Sequence, residues 1–148
     1  MQFQYKVQEK PNGLAEAFLI GEEFIGDEAC AMALGDNIYF GDGFAETLRG
    51  ARKKAKEGYA SIFGFHVNDP TRFGIMEIND YGRVLSVEEK PENPSSNLAS
   101  MGIYIFSWPV LKEALLKLKE ENNLDFGKHI LPYCREQDMR LFAYEFTG

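Results

Sequence analysis

At residues 31–37 the chain reads AMALGDN, an apolar run that ends in a glycine, a carboxylate and an amide. Such a run is typical of a buried strand of an α/β sheet, which we assign to residues 30–34. Ligands of open α/β sheets bind beyond the carboxyl ends of the strands, where a lone Asp can hold Mg²⁺ against phosphate oxygens. Asp36 is therefore a candidate metal ligand, although Gly-Asp-Asn is also ordinary turn chemistry.

The composition favours one globular domain over residues 1–148. Hydrophobic residues make up 45% and aromatic residues 14% of the chain, which is enough for a single core. The net charge of -7 argues against nonspecific binding to nucleic acid or to an anionic membrane. Two Cys and two His are too few for a disulfide framework or a zinc site. No segment approaches the roughly 18 apolar residues of a membrane span. We therefore expect a cytoplasmic protein.

Hydrophobic periodicity predicts an α/β domain in which helices flank a mixed sheet. The predicted strands are residues 3–7, 30–34, 61–67, 73–78, 83–89, 98–106 and 141–144. The predicted helices are residues 14–24, residues 44–55, a helix capped by Ser107, and a helix that Asp125 opens and that Pro132 kinks or limits. Residues 79–82 read Asn-Asp-Tyr-Gly and predict a hairpin turn between two of the strands.

A second chemical signal lies at residues 88–91, Glu-Glu-Lys-Pro, where a proline stops the extended run 84–87. A lysine ammonium is a compact charge suited to a phosphate, and a glutamate can accept hydrogen bonds from sugar hydroxyls. A Glu/Lys cluster before a proline is also a common strand terminus. The local pattern alone leaves both interpretations open.

Six motifs, taken in order, carry a resemblance to a known family. They are Val7-Gln8, residues 13–17, residues 34–37, residues 72–74, residues 89–91 and residues 99–104. Together they resemble the sugar-1-phosphate nucleotidyltransferases, a family with a Rossmann-like, GT-A-like fold, over nearly the whole chain. The first third is most similar to the glucose-1-phosphate thymidylyltransferases. Residues 99–104, 125–128 and 142–144 are more similar to the adenylyltransferases.

The resemblance implies an enzyme of nucleotide-sugar biosynthesis that joins glucose-1-phosphate to a nucleoside triphosphate and releases pyrophosphate. The dTTP type is favoured, and the ATP type of ADP-glucose and glycogen synthesis comes next. By the same resemblance, Gln8 and Gly13 contact the base, Asp36 holds Mg²⁺ on the nucleotide phosphates, and Lys90 binds the sugar phosphate. Asp36 and Lys90 are then the catalytic residues. The residues implied for the sugar pocket, besides Lys90, are Gly74, Glu89, Ser100 and Gly102.

Two motifs of the family have no counterpart in residues 1–148. The Gly-Gly-x-Gly-Thr-Arg-Leu loop that wraps the triphosphate would precede this sequence, and the Trp-x-Asp-x-Gly-Thr segment with a second metal-binding aspartate would follow it. We therefore expect a truncated domain with impaired or no activity alone. An unpaired strand or an uncovered apolar face should favour a homo-oligomer or other self-association. The alternative is a non-catalytic paralogue with a sugar-phosphate-binding or a regulatory role.

Overall fold

The computed structural model describes residues 2–121 and 124–146, which form a six-stranded mixed sheet with helices on both faces. The predicted α/β class is confirmed. The helices are α1 (Glu16–Ile20), α2 (Glu22–Ile25), α3 (Phe44–Lys56), α4 (Trp108–Glu120) and α5 (Leu131–Glu136), with a 3₁₀ turn at Pro70–Arg72 and a π-helical turn at Phe126–Ile130. The strands are β1 (Ala29–Ala33), β2 (Ala60–His66), β3 (Gly74–Ile78), β4 (Val84–Glu89), β5 (Leu98–Ser107) and β6 (Leu141–Glu145).

The ten-residue strand β5 organises the sheet. The strand order is β4-β3-β5-β2-β6, and β1 pairs with β5 beside this path. All three partners of β5 run antiparallel to it: β3 pairs near its start, β1 pairs over its second half, and β2 pairs along most of its length. β2 and β6 pair in parallel. Residues of β5 therefore contact most of the sheet, including the ends where the candidate site lies.

The alternation of side chains along β5 separates two hydrophobic clusters. Tyr104 and Phe106 belong to the cluster that includes α4 and α5, whereas Ile103 and Ile105 pack in the cluster of α3. Ser107 occupies the N-cap position of α4 as predicted, although its side chain makes no capping hydrogen bond. The apolar stripe of α4 is buried as its spacing predicts; its buried members are Trp108, Leu111, Ala114, Leu115 and Leu118.

One strand predicted near the start of the chain is absent, and the predicted burial of another is wrong. Residues 3–7 form no strand, and their alternating apolar side chains are exposed. The strand predicted as buried at residues 30–34 is β1, whose residues are intermediate or exposed. The physical reason is pairing: within the described residues β1 contacts β5 on one side and has no strand on the other. The predicted opening β-α-β unit is therefore absent from the described residues.

Two helix predictions need correction as well. The predicted helix 14–24 is two short helices, α1 and α2, which meet at Gly21. Pro132 does not end a helix, because it lies in the first turn of α5, where a missing N–H removes no helical hydrogen bond. Asp125 begins the preceding π-helical turn. Within residues 2–121 and 124–146, no helix combines the length and the apolar character that crossing a membrane requires.

Candidate functional site

A bulge in β5 connects two of the predicted site residues, Ser100 and Gly102. Where β2 advances from Ile62 to Gly64, its partners on β5 move from Tyr104 to Ser100, so β5 carries two extra residues here. Gly102 has φ +73°, a conformation that favours glycine. Its N–H donates to Ser100 Oγ at 3.3 Å. Bulges of this kind re-aim side chains beside active sites.

The turn that carries Asp36 packs over this bulge. A Cβ on Gly102 would lie 3.3 Å from Asn37 Nδ2, so the glycine leaves room for the turn. Tyr39 donates its hydroxyl hydrogen to the carbonyl oxygen of Met101 at 2.8 Å, and Asn37 Nδ2 donates to the same oxygen at 3.4 Å. These contacts hold the turn at the end of β1, with the Asp36 side chain exposed.

Asp36 offers a single carboxylate to a metal ion. The described part of the chain contains no group of three or more His, Cys, Asp or Glu that could hold a metal. Mg²⁺ is often held by one or two carboxylates together with substrate phosphates and water, so one carboxylate fits this ion when a nucleotide supplies the other ligands. Burial raises the pKa of the nearby Tyr39 hydroxyl, and the charge of Asp36 raises it further. The role of Asp36 stays a prediction.

The Glu89 carboxylate lies between two glycines. Gly74 is the register partner of Glu89 in the β3–β4 hairpin, and Gly127 comes from the π-helical turn. A Cβ on Gly74 would lie 2.9 Å from Glu89 Oε2, and a Cβ on Gly127 would lie 3.0 Å from the same atom. Ser100 Cβ is 4.0 Å from the Gly74 position. The two glycines thus make room for the Glu89 carboxylate at this position.

Lys90 follows Glu89 in an unusual backbone conformation. Its φ is +47°, which an L-residue with a long side chain seldom adopts. Its backbone N–H donates to Phe73 O at 2.9 Å, and the next residue, Pro91, is buried. Lys90 Nζ lies 3.9 Å from Glu89 Oε1, with 65% of the lysine side chain exposed. An exposed pair of this kind contributes little to stability, so the ammonium is available to an anionic ligand.

Three residues that the sequence pattern did not assign to the site lie in this cluster. The Tyr104 hydroxyl is 3.2 Å from Ser100 Oγ. Burial raises the pKa of Tyr104, and the nearby charges of Glu89 and Asp125 raise it further. The Asp125 carboxylate caps the π-helical turn by accepting the Lys128 N–H at 2.9 Å. Gly127 is the third. Tyr104 belongs to the family motif 99–104, which also contains the predicted site residues Ser100 and Gly102. Asp125 and Gly127 belong to residues 125–128, which served to mark the family branch. These two motifs were the available signal for the three residues.

The predicted base contacts, Gln8 and Gly13, form a separate loop. Gln8 Nε2 donates to Gly13 O at 3.0 Å and to Glu16 Oε2 at 2.8 Å. The hydrogen bond from Gln8 to the Glu16 carboxylate is the main cause that lowers the pKa of Glu16. Gly13 has φ +116°, and a Cβ there would lie 2.5 Å from Leu124 O. Since Leu124 precedes Asp125, the loop packs against the chain segment that leads to Asp125 and Gly127.

The structure therefore brings most of the predicted residues into two neighbouring groups. Four of them form what we call the Glu89 cluster, with Tyr104, Asp125 and Gly127; they are Gly74, Glu89, Lys90 and Ser100. Gly102 and Asp36 form the second group at the bulge, which the Gly102 N–H bond to Ser100 joins to the first. A carboxylate, an ammonium and a pair of hydroxyls can together bind a phosphorylated polyol, because they match both hydroxyl and phosphate groups.

Known proteins are similar to this chain in sequence and in fold. The family model described as nucleotidyl transferase matches residues 1–148. A glucose-1-phosphate thymidylyltransferase of Neisseria gonorrhoeae is 48% identical over 135 residues, which cover 91% of this chain and 42% of that protein. A glucose-1-phosphate adenylyltransferase of Lachnospira eligens is 54% identical over 82 residues, which cover 55% of this chain and 19% of that protein.

A solved structure agrees with the fold. The crystal structure of a glucose-1-phosphate thymidylyltransferase from Bacillus anthracis, in complex with a sucrose, matches with a TM-score of 0.81 at 30% identity. The match covers 99% of this chain and 57% of the other. The chain thus spans less than half the length of these two curated relatives.

Proposed function

The chain belongs to the nucleotidyl transferase family, and from this premise we propose that it carries the sugar-phosphate side of a glucose-1-phosphate nucleotidyltransferase site. The reaction would join glucose-1-phosphate to a nucleoside triphosphate and release pyrophosphate. The dTTP type is favoured because the segment with Gln8 and Gly13, which would meet the base, matches the thymidylyl branch. The ATP type comes second, supported by residues 99–104 and 125–128.

The Glu89 cluster is the observation that carries this proposal. A carboxylate flanked by Gly74 and Gly127 can accept hydrogen bonds from two sugar hydroxyls without a side chain in the way. The hydroxyls of Ser100 and Tyr104 can each donate or accept, which suits the mixed character of a sugar edge. The exposed ammonium of Lys90 would bind the phosphate of the same ligand.

The proposed chemistry is an in-line displacement at the α-phosphorus of the nucleotide. A phosphate oxygen of the sugar-1-phosphate forms the new bond to that phosphorus, and the bond to the pyrophosphate oxygen breaks. Such reactions depend chiefly on positioning and on neutralising charge. Lys90 would orient the attacking phosphate, and the loop with Gln8 and Gly13 would contact the base. A Mg²⁺ ion would neutralise charge on the nucleotide phosphates, with Asp36 as its protein ligand.

Calorimetric titration with glucose-1-phosphate tests the sugar-phosphate side. We expect Glu89→Gln and Lys90→Ala each to weaken binding at least about tenfold, because each removes a charged hydrogen bond. Glu88→Gln is the matched control: side chains alternate along β4, so Glu88 points to the opposite face of the sheet. Unchanged affinity in the Glu89 and Lys90 variants, or no binding by the unaltered chain, would contradict the proposal.

A second titration, with dTTP and Mg²⁺, separates the enzyme from the alternative. Nucleotide binding that Asp36→Asn abolishes supports the transferase. Binding of glucose-1-phosphate without binding of dTTP or ATP would instead favour a sugar-phosphate-binding or regulatory paralogue.

Location in the cytoplasm stays a prediction from composition.

A further inference from the structure

His129 belongs to the π-helical turn Phe126–Ile130, which brings Gly127 to the Glu89 carboxylate. Its ring is bonded back to the residue that begins the turn, because His129 Nδ1 accepts the backbone N–H of Asp125 at 3.3 Å. The backbone N–H of His129 in turn donates to Asp125 O at 3.0 Å. The two residues therefore bond to each other in both directions.

The turn engages every polar group of Asp125. The carboxylate accepts the Lys128 N–H at 2.9 Å, and the carbonyl oxygen accepts the N–H groups of His129 and Ile130 at 3.0 and 3.1 Å. The backbone N–H makes the remaining bond, to the His129 ring. The first N–H groups of a helix need partners outside the helical hydrogen bonds. The arrangement resembles a capping box, with an imidazole in place of the usual Glu or Gln.

This cap lies directly beside the Glu89 cluster. A Cβ on Gly127 would lie 3.0 Å from Glu89 Oε2 and 3.7 Å from Asp125 Oδ1, so the glycine separates two carboxylates of the cluster. On one side of Gly127 the turn is anchored by Phe126, whose side chain is buried in the core. The residue on the other side is exposed. The hydrogen bonds between Asp125 and His129 therefore hold the turn on that side.

We propose that His129 is a positioning residue of the sugar-phosphate site. Its ring closes the π-helical turn and thereby holds Gly127 and the Asp125 carboxylate beside Glu89. The inference rests on the proposed function, because the site that His129 positions is the Glu89 cluster. A ligand that needs the closed turn binds in proportion to the fraction of molecules in which the turn is closed. His129 acts through Asp125 and Gly127 and is therefore not a catalytic residue.

Two substitutions separate the acceptor atom of His129 from its ring. His129→Phe keeps an aromatic ring and removes the acceptor, whereas His129→Asn removes the ring and places an acceptor, Oδ1, where Nδ1 stands. In calorimetric titration we expect His129→Phe to weaken the binding of glucose-1-phosphate about fivefold, the effect of one lost helix cap. His129→Asn should bind within about twofold of the unaltered chain, because the cap is kept.

Asn79→Ala is the matched control for a general loss of stability. Asn79 Oδ1 accepts the backbone N–H groups of Tyr81 and Arg83, each at 3.0 Å, so it also holds a turn through a side-chain acceptor. This turn lies at the opposite end of the β3–β4 hairpin from Glu89. We expect Asn79→Ala to lower the stability in urea and to leave the affinity unchanged. Equal losses of affinity in Asn79→Ala and His129→Phe would overturn the proposal.

Glu89→Gln distinguishes failure of this inference from failure of the proposed function. If the unaltered chain binds glucose-1-phosphate, Glu89→Gln weakens binding and His129→Phe binds normally, His129 is not a positioning residue and the proposed function stands. If the unaltered chain does not bind, both are wrong. Equal weakening in His129→Phe and His129→Asn also contradicts the inference, because the ring and not the acceptor would then matter.

Discussion

Replacing Gly74 with alanine should weaken the binding of glucose-1-phosphate while leaving the fold intact. The new Cβ would lie 2.9 Å from Glu89 Oε2, so the carboxylate must turn away from its position between the two glycines. The carboxylate is the far end of a flexible side chain, and an off-rotamer glutamate costs about 0.5–1.5 kcal/mol. Replacing glycine with alanine at a compatible position stabilises the folded state by about 0.4–1 kcal/mol, because it lowers the conformational entropy of the unfolded chain. The stability of Gly74→Ala should therefore stay within about 1 kcal/mol of the unaltered protein.

Binding should respond much more strongly than stability. Loss of a hydrogen bond to a charged group costs about 1.5–3 kcal/mol, which corresponds to a weakening of roughly 10- to 150-fold in the affinity for glucose-1-phosphate. Calorimetry measures the affinity, and urea unfolding measures the stability. Gly35→Ala is the neutral control, because nothing lies within 4 Å of its Cβ position.

A third glycine shows the opposite case and sharpens the test. A Cβ on Gly64 in β2 would lie 2.5 Å from Met76 Cε and 3.1 Å from the carbonyl oxygen of Ala99, within the packed sheet. We expect Gly64→Ala to lose about 1–3 kcal/mol of stability through overpacking. If Gly74→Ala were as destabilised as Gly64→Ala, or bound glucose-1-phosphate normally, the assignment of the space beside Glu89 to a ligand would be refuted.

Two further predictions concern stability. Gly13→Ala should cost about 2 kcal/mol or more in urea unfolding, because φ is +116° and the Cβ would lie 2.5 Å from a backbone oxygen, Leu124 O. Hydrogen bonds to Glu145 and then Asn97 raise the pKa of His66, so the folded state binds its proton more tightly than the unfolded state does. This stabilisation is complete below the ordinary pKa of about 6.5 and is lost as pH rises through the raised value. His66→Gln should remove that part of the pH dependence of the melting temperature.

The sequence pattern predicted most of the strands, including β2, β5 and β6, whose partners lie far along the chain, but it failed for residues 3–7 and for the burial of β1. The hairpin of β3 and β4 and the stripe of α4 follow from local turn chemistry and spacing, and both are present. Residues 3–7 have an equally clear period-two pattern, yet a strand forms only where a partner supplies hydrogen bonds. The burial of β1 likewise depends on what covers its second edge, which its own residues do not encode.

The same distinction applies to the site. Glu89 and Lys90 stood out because two charges precede a proline. That Gly127 borders the Glu89 carboxylate depends on a π-helical turn about forty residues later in the chain, whose hydrogen bonds give no periodic signal. Tyr104 reads as an apolar strand residue, and its ring is indeed buried against Phe126. Only the three-dimensional structure shows that its hydroxyl reaches Ser100.

The bulge in β5 makes the two groups of site residues depend on each other. Ser100 Oγ lies 3.2 Å from the Tyr104 hydroxyl and accepts the Gly102 N–H, whereas the turn with Asp36 rests on Gly102 and on the carbonyl of Met101. The bulge of the buried strand β5 thus supports both the turn that carries Asp36 and the Ser100 side of the Glu89 cluster. Because displacement at phosphorus is sensitive to small errors in alignment, a rigid strand is a suitable support for the groups that we propose to bind the two anionic substrates.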